Sequence, residues 1–262
     1  MVNPGPKKHL IPTIKKKIST MVKLPLNLII KSIFSYVKIF ISKTCILELP
    51  KIPYHFLRYH NLVNKNFLLR KNHDFATEAD FIFFNDKIAK CKLYLEYGSG
   101  TSTILADKND TTYYSVESDR NFYLSLKKKL KNGNNYFLKD FGIVSYASRP
   151  MLFTYRKLFL REKAKKYAND VLNYLNEKNL SPDLILIDGR YRLLCALYVY
   201  KFLKEKNFSG NIIIDDYKRR SYLHVLDNLF YIKQVGSFGV CNKLKEYKDL
   251  NELIKIYEND FR

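Results

Sequence analysis

Leu95-Glu96-Tyr97-Gly98-Ser99-Gly100-Thr101-Ser102-Thr103 is the stretch that decides the fold. An apolar and aromatic run ends in an acid and two closely spaced glycines, and hydroxyl residues suited to starting a helix follow. Gly98 and Gly100 allow a sharp turn and a close approach of a ligand to the backbone. On either side the chain alternates between short β-branched or aromatic runs and longer helical patterns. Strands are predicted at 92–97, 112–117, 135–139, 183–187, 211–215, 230–235 and 238–242. Helices are predicted at 76–89, 102–108, 119–131, 157–177, 190–206, 218–229 and 246–258. Eight of the nine glycines fall between Gly98 and Gly239, mostly at predicted strand ends. Such alternation implies an α/β fold, a Rossmann-like doubly wound sheet of seven mostly parallel strands with helices on both faces. Ligands in these sheets bind beyond the carboxyl ends of the strands.

Two sites are expected at those ends. The first joins the glycine loop to Glu117, which closes the second strand 19 residues after Gly98. A carboxylate there can accept both hydroxyls of a ribose, the layout of a nucleoside-containing cofactor. A dinucleotide loop requires a third glycine where this chain has Thr103, which disfavours an NAD-type oxidoreductase. The second site joins the fourth strand, Asp183-Leu184-Ile185-Leu186-Ile187, to the fifth, Asn211-Ile212-Ile213-Ile214. Both are apolar throughout, as central strands buried on both faces are. If they are neighbours about 4.8 Å apart, Asp188 faces Asp215 and Asp216. Crowded carboxylates need a cation or protons between them. A hard ion such as Mg²⁺ suits oxygen ligands. Arg190, Arg192, Lys218, Arg219 and Arg220 offer the other solution, pairing with the same aspartates, and some of these cations suit an acidic substrate instead. Without a metal, Asp188 is placed to act as a general base.

The glycine loop, acid-x-Gly-x-Gly-x-Ser, resembles motif I of the class I S-adenosylmethionine (SAM) dependent methyltransferases. The resemblance covers roughly residues 74–243. It implies SAM as cofactor, held by Glu96, Gly98, Ser99, Gly100, Ser102 and Glu117, with Asp140 after the third strand meeting the adenine. The second site is similar to that of metal-dependent O-methyltransferases, which implies Asp188, Asp215 and Asp216 as metal ligands. Asp188 and Arg190 are the expected catalytic residues. The implied reaction is in-line O-methylation of a small-molecule or glycan-like acceptor, anionic if the arginines face it. A binding protein that keeps the fold without activity is the competing reading. Tyr146 and Arg149, in the long loop 140–156, are candidates to line the substrate side. His73 and His224 are read as isolated surface residues.

Composition supplies the remaining bounds. The chain has 262 residues, with 46 Lys+Arg against 25 Asp+Glu and a formal charge of +21. Residues 1–72 hold 14 of the cations and one acid, Glu48, so +13 of the excess precedes the α/β pattern. That placement disfavours nucleic acid as the partner, which would want a basic stripe near the site. Thirty-five of the cations are Lys, an excess that an AT-rich coding sequence also produces. Residues 1–72 therefore read as a basic, apolar N-terminal extension and 73–262 as the catalytic domain. Within the extension, segment 24–42 is apolar with a polar stripe at Asn27, Lys31, Ser35, Lys38 and Ser42. An amphipathic helix on an anionic membrane surface, a packed helix and a spanning helix are all open to it. A cytoplasmic protein, peripheral on the inner face of a membrane, is the expectation this supports. Lys51–Lys71 reads as a connector. Four scattered cysteines without CxxC spacing argue against a disulfide scaffold or zinc site, and all four are expected to be buried thiols.

Overall fold

The computed structural model describes residues 52–60, 75–145, 148–149, 157–206 and 208–260. Segment 24–42, His73, Tyr146 and Cys45 lie outside the described residues. No helix among the described residues is long and apolar enough to cross a membrane.

The expected connector contains a helix, α1 (Ile52–Tyr59), with Pro53 in its first turn, where a missing N–H costs nothing. Next come α2 (Glu78–Ala89), β1 (Leu93–Tyr97), α3 (Thr101–Lys108), β2 (Thr112–Glu117) and α4 (Arg120–Lys127). They lead to β3 (Tyr136–Leu138), α5 (Lys157–Glu177), β4 (Leu184–Ile187), α6 (Arg192–Lys204) and β5 (Asn211–Ile214). The chain closes with the hairpin β6 (Phe230–Val235) and β7 (Phe238–Leu244), then α7 (Leu250–Tyr257). Two starts are set by side-chain caps: Thr77 accepts from Asp80 N at 3.1 Å ahead of α2, and Asp119 accepts from Asn121 N and Phe122 N ahead of α4.

The sheet order is β3-β2-β1-β4-β5-β7-β6, parallel except for β7, which runs antiparallel to both β5 and β6. This is the doubly wound, Rossmann-like α/β arrangement. Alternate residues of each strand serve opposite faces. Tyr94, Leu184, Leu186 and Ile213 pack with Phe84 and Ile88 of α2 and Ala106 of α3. On the other face α5 presents Leu160, Ala164, Tyr167, Ala168, Val171, Leu172 and Leu175, all buried at helical spacing. Tyr97 of β1 meets Tyr167 there, with ring centroids 5.8 Å apart.

The helix expected over 218–229 is not α-helical. Tyr217–Arg219 and Ser221–Asn228 form two 3₁₀ segments. Asp216 takes a left-handed conformation, φ 58°, and the Lys218 N–H bonds to Ser237 O at 3.3 Å. The segment is thereby tied to the β6–β7 turn and cannot wind onward from β5. Cys195 and Cys241 are buried, whereas Cys91 is only half-buried and donates to Asp183 at 2.9 Å.

Candidate active site

Strand order reverses between β1 and β4, so the chain leaves these neighbours in opposite directions and opens a crevice beyond their carboxyl ends. The two loops touch at the mouth of the crevice. Gly98 has φ +88°, and a Cβ on it would lie 2.5 Å from the Gly189 Cα. Glycine is needed at Gly98 by conformation and by contact alike. At Gly189 a Cβ would lie 2.0 Å from the Tyr167 hydroxyl. Gly100 differs: a Cβ there would meet no atom within 4 Å. The loop backbone is open at that point, and the residues fit a nucleoside-bearing cofactor laid against it.

Glu96, expected beside the cofactor, is instead fully buried under the loop. It accepts from Tyr94 Oη at 2.7 Å, from Ser102 Oγ at 2.6 Å and from Thr103 Oγ1. Thr103 Oγ1 in turn accepts from Gly100 N at 3.0 Å. Burial pushes the Glu96 carboxyl up, and its hydroxyl donors oppose that shift. Its position explains the hydroxyl residues after the glycines: they fasten the start of α3 to β1 through one internal acceptor.

Glu117 ends β2 with all four of its lone-pair positions engaged. One oxygen accepts from Ser99 N at 3.2 Å and Ser99 Oγ at 2.8 Å, the other from Ser118 N at 2.6 Å and Asp119 N at 2.7 Å. Burial raises its pKa, and the Asp119 charge adds to that rise. Ser99 Oγ is shared with Tyr136 Oη at 2.8 Å, so it has a second partner if it leaves Glu117. Asp140 after β3 accepts from Gly142 N at 2.6 Å and from Tyr59 Oη at 2.8 Å. Helix α1 is fastened at the same edge by Arg58, buried in an ion pair with Asp119, and by Tyr59, whose ring lies 5.5 Å from the Arg120 guanidinium. Sequence reading missed Arg58 and Tyr59, because nothing in a connector pattern marks contacts made 61 and 81 residues away.

At the second site the structure brings Asp188, Asp215 and Asp216 together, as expected, but around Arg192 rather than a metal. Arg192 pairs with Asp188, lies 3.5 Å from Asp215 Oδ2 and 3.4 Å from Asp216 Oδ2, and its side chain is 5% exposed. It also donates to Gly189 O at 3.2 Å, Asp215 O at 2.7 Å and Asp188 O at 2.8 Å. Burial acts to lower the Arg192 pKa, and the aspartates more than reverse this. Arg219 and Arg220 also pair with Asp216, whose pKa is lowered against the effect of its burial. The Mg²⁺ site expected from the three aspartates is therefore corrected: a guanidinium already supplies the cation, and the residues do not fit a metal. No group of three or more metal-ligating side chains is suitably placed among the described residues.

Asp215 is pushed up to about 8, first by burial and then by the charge of Asp188. Tyr191, φ 55°, and Asp216, φ 58°, hold left-handed backbones just past β4 and β5. Such conformations in non-glycine residues cost free energy and cluster at functional sites. Arg190 is half-buried beside this pair of turns, Arg149 is exposed, and His224 lies tilted against Tyr217 with ring centroids 5.0 Å apart.

Among solved structures the chain is similar to a methyltransferase-like protein from Silicibacter pomeroyi, with a TM-score of 0.61 and 22% identity over 74% of this chain and 100% of that one. It also matches an O-methyltransferase from Bacillus cereus in complex with SAH, with a TM-score of 0.40 and 13% identity over 79% of this chain and 97% of that one. The first of these shows a shared fold. No protein-family model and no curated protein sequence matches the chain.

Proposed function

We propose that the chain is a SAM-dependent methyltransferase that methylates an oxygen of a small-molecule or glycan-like acceptor. One observation carries this reading: the open backbone at Gly100 lies between Glu117 and Asp140 on one side and the Asp188–Asp215 pair on the other. When bound, SAM supplies a methyl group activated by a sulfonium. Glu117 accepts one ribose hydroxyl at the position that Ser99 Oγ vacates when it turns wholly to Tyr136. Asp140, oriented by Tyr59, meets the adenine. Glu96 is a positioning residue that holds the glycine loop and the start of α3. Asp188 and Asp215 take the proton of the acceptor hydroxyl. Asp215, held up at about 8 by burial and by the charge of Asp188, is in its ionised form a stronger base than a free aspartate. Arg192 keeps the pair together without a metal.

The test is calorimetric titration of the full chain with S-adenosylhomocysteine and, separately, with NAD⁺. Binding of S-adenosylhomocysteine alone is expected, weakened at least roughly tenfold in Gly100→Ala while the fold persists. Binding of NAD⁺ alone, or full affinity in the alanine variant, refutes the reading.

A further inference from the structure

The cations around the acid cleft are not equivalent. Arg192 is held by Asp188, Asp215 and Asp216, and Arg219 and Arg220 are held by Asp216. Arg190, two residues before Arg192 and half-buried, has no carboxylate partner among the described residues. Of the chain's 25 acids only Glu48 and Asp74 lie outside those residues. Residues 146–156 include no acid. Burial, and then the charges of Arg192, Arg220 and Arg149, pull the Arg190 pKa down to about 10, with Tyr222 acting the other way. A guanidinium withdrawn from water among like charges is held at an electrostatic cost, in a cleft that pairs its other buried arginine with acids.

A second, independent feature stands beside it. The Tyr167 hydroxyl is fully buried and has no hydrogen-bond partner among the described residues. It reaches the Gly98–Gly189 contact, immediately before Arg190 in the chain. A buried donor without an acceptor is destabilising. Arg190 thus lacks a carboxylate among the described residues and Tyr167 lacks an acceptor beside Gly189, the residue before Arg190.

We propose that Arg190, with Arg149 at the rim and the Tyr167 hydroxyl beneath, binds a carboxylate or phosphate group of the acceptor, which is therefore an anionic molecule. The guanidinium fork matches the paired oxygens of either group. Assigning the anion to the acceptor rests on the methyltransferase reading; the anion site itself does not. Because Arg190 follows Asp188 by two residues, the bound anion lies next to the hydroxyl that is methylated. That oxygen forms a bond to the methyl carbon, the carbon–sulfur bond breaks with its electron pair left on sulfur, and the hydroxyl proton passes to the Asp188–Asp215 pair.

The experiment titrates the full chain by calorimetry with inorganic phosphate and with acetate, each with and without saturating S-adenosylhomocysteine. Saturable binding of one anion is expected, and whichever of the two binds identifies the group. Arg190→Gln should weaken it at least roughly tenfold and Arg190→Lys by less, with Arg219→Gln unchanged and S-adenosylhomocysteine affinity intact in all three. Absence of saturable anion binding in the wild type, or equal binding in Arg190→Gln, overturns the proposal. A parallel loss of S-adenosylhomocysteine affinity in Arg190→Gln overturns it too, by assigning the oxyanion to the cofactor. If S-adenosylhomocysteine never binds but phosphate does so through Arg190, the methyltransferase reading fails and the anion site stands.

Discussion

Replacing Arg192 with methionine removes the cation from the cleft while keeping most of the side-chain volume. Three aspartates then lose their shared partner, and three carbonyl oxygens lose a donor. Breaking a buried ion pair by deleting one member typically costs about 3–5 kcal/mol. The lower end applies here. Asp188 is 45% exposed at its side chain, so water takes up part of its charge. Asp216 keeps Arg219 and Arg220, and Asp215, already raised to about 8, can retain a proton. A loss of about 3 kcal/mol in urea denaturation at pH 7.5 is therefore expected, or roughly 6–12 °C in Tm for a domain of this size. The loss should shrink at pH 5, where fewer charges remain uncompensated. Millimolar Mg²⁺ should restore part of the variant's Tm and leave that of the wild type unchanged, because only in the variant do Asp188 and Asp215 lack a shared cation. A loss below about 1 kcal/mol, the scale of an exposed pair, would refute the view of Arg192 as the organising cation. So would a wild type that responds to Mg²⁺ as the variant does.

Asp215 also gives stability a pH slope. Its folded pKa, about 8, lies above the unfolded value near 3.8, so its contribution is fully present below pH 4 and is lost as pH rises through 8. Denaturation midpoints of Asp215→Asn and wild type across pH 5–9 should therefore converge at the acid end and diverge, in favour of the variant, at the alkaline end; parallel curves would remove Asp215 as the source. Glu96→Gln leaves one of three hydroxyl donors facing an amide N–H, and should lower stability by about 1–3 kcal/mol together with S-adenosylhomocysteine affinity. Unchanged affinity in a folded variant would deny Glu96 its role in positioning the loop. Gly98→Ala combines a left-handed backbone with a Cβ 2.5 Å from another backbone, and should cost at least ~2 kcal/mol, measured by thermal denaturation. A cost near zero would mean the two loops are not held together.

The fold was legible because its central strands are short and buried on both faces. Leu184–Ile187 and Asn211–Ile214 are nearly continuous apolar runs between polar strand ends, a pattern with few alternatives. The glycine loop was legible for a similar local reason, since Gly98 needs a backbone conformation that few residues adopt. What escaped sequence reading depends on contacts distant in the chain. The expected helix at 218–229 failed because Tyr217 is buried against Gly239, where a Cβ would lie 2.6 Å from its ring. That packing holds the backbone in 3₁₀ turns regardless of helical propensity. Tyr167 could have been placed on a buried face from the spacing of Leu160, Ala164 and Val171, but no periodicity marks its hydroxyl as unpartnered.

The acid cleft shows where pattern reading reaches its limit. An aspartate after β4 and a pair after β5 suit a metal and suit an arginine equally well, since either neutralises the same three charges. The decision rests on Arg192, four residues beyond Asp188, starting α6 with a side chain turned back across both strand ends. A metal would leave open coordination positions for the substrate's oxygens, whereas Arg192 commits its donors to Gly189, Asp188 and Asp215. Recognition of the substrate must then come from another residue. Arg190, two residues after Asp188, is a half-buried cation with no carboxylate partner among the described residues, and it is the residue proposed for that task. The substitution of a guanidinium for a metal thus changes more than the cofactor list: it separates neutralising the aspartates from the proposed binding of the acceptor, and divides the two tasks between two arginines two residues apart.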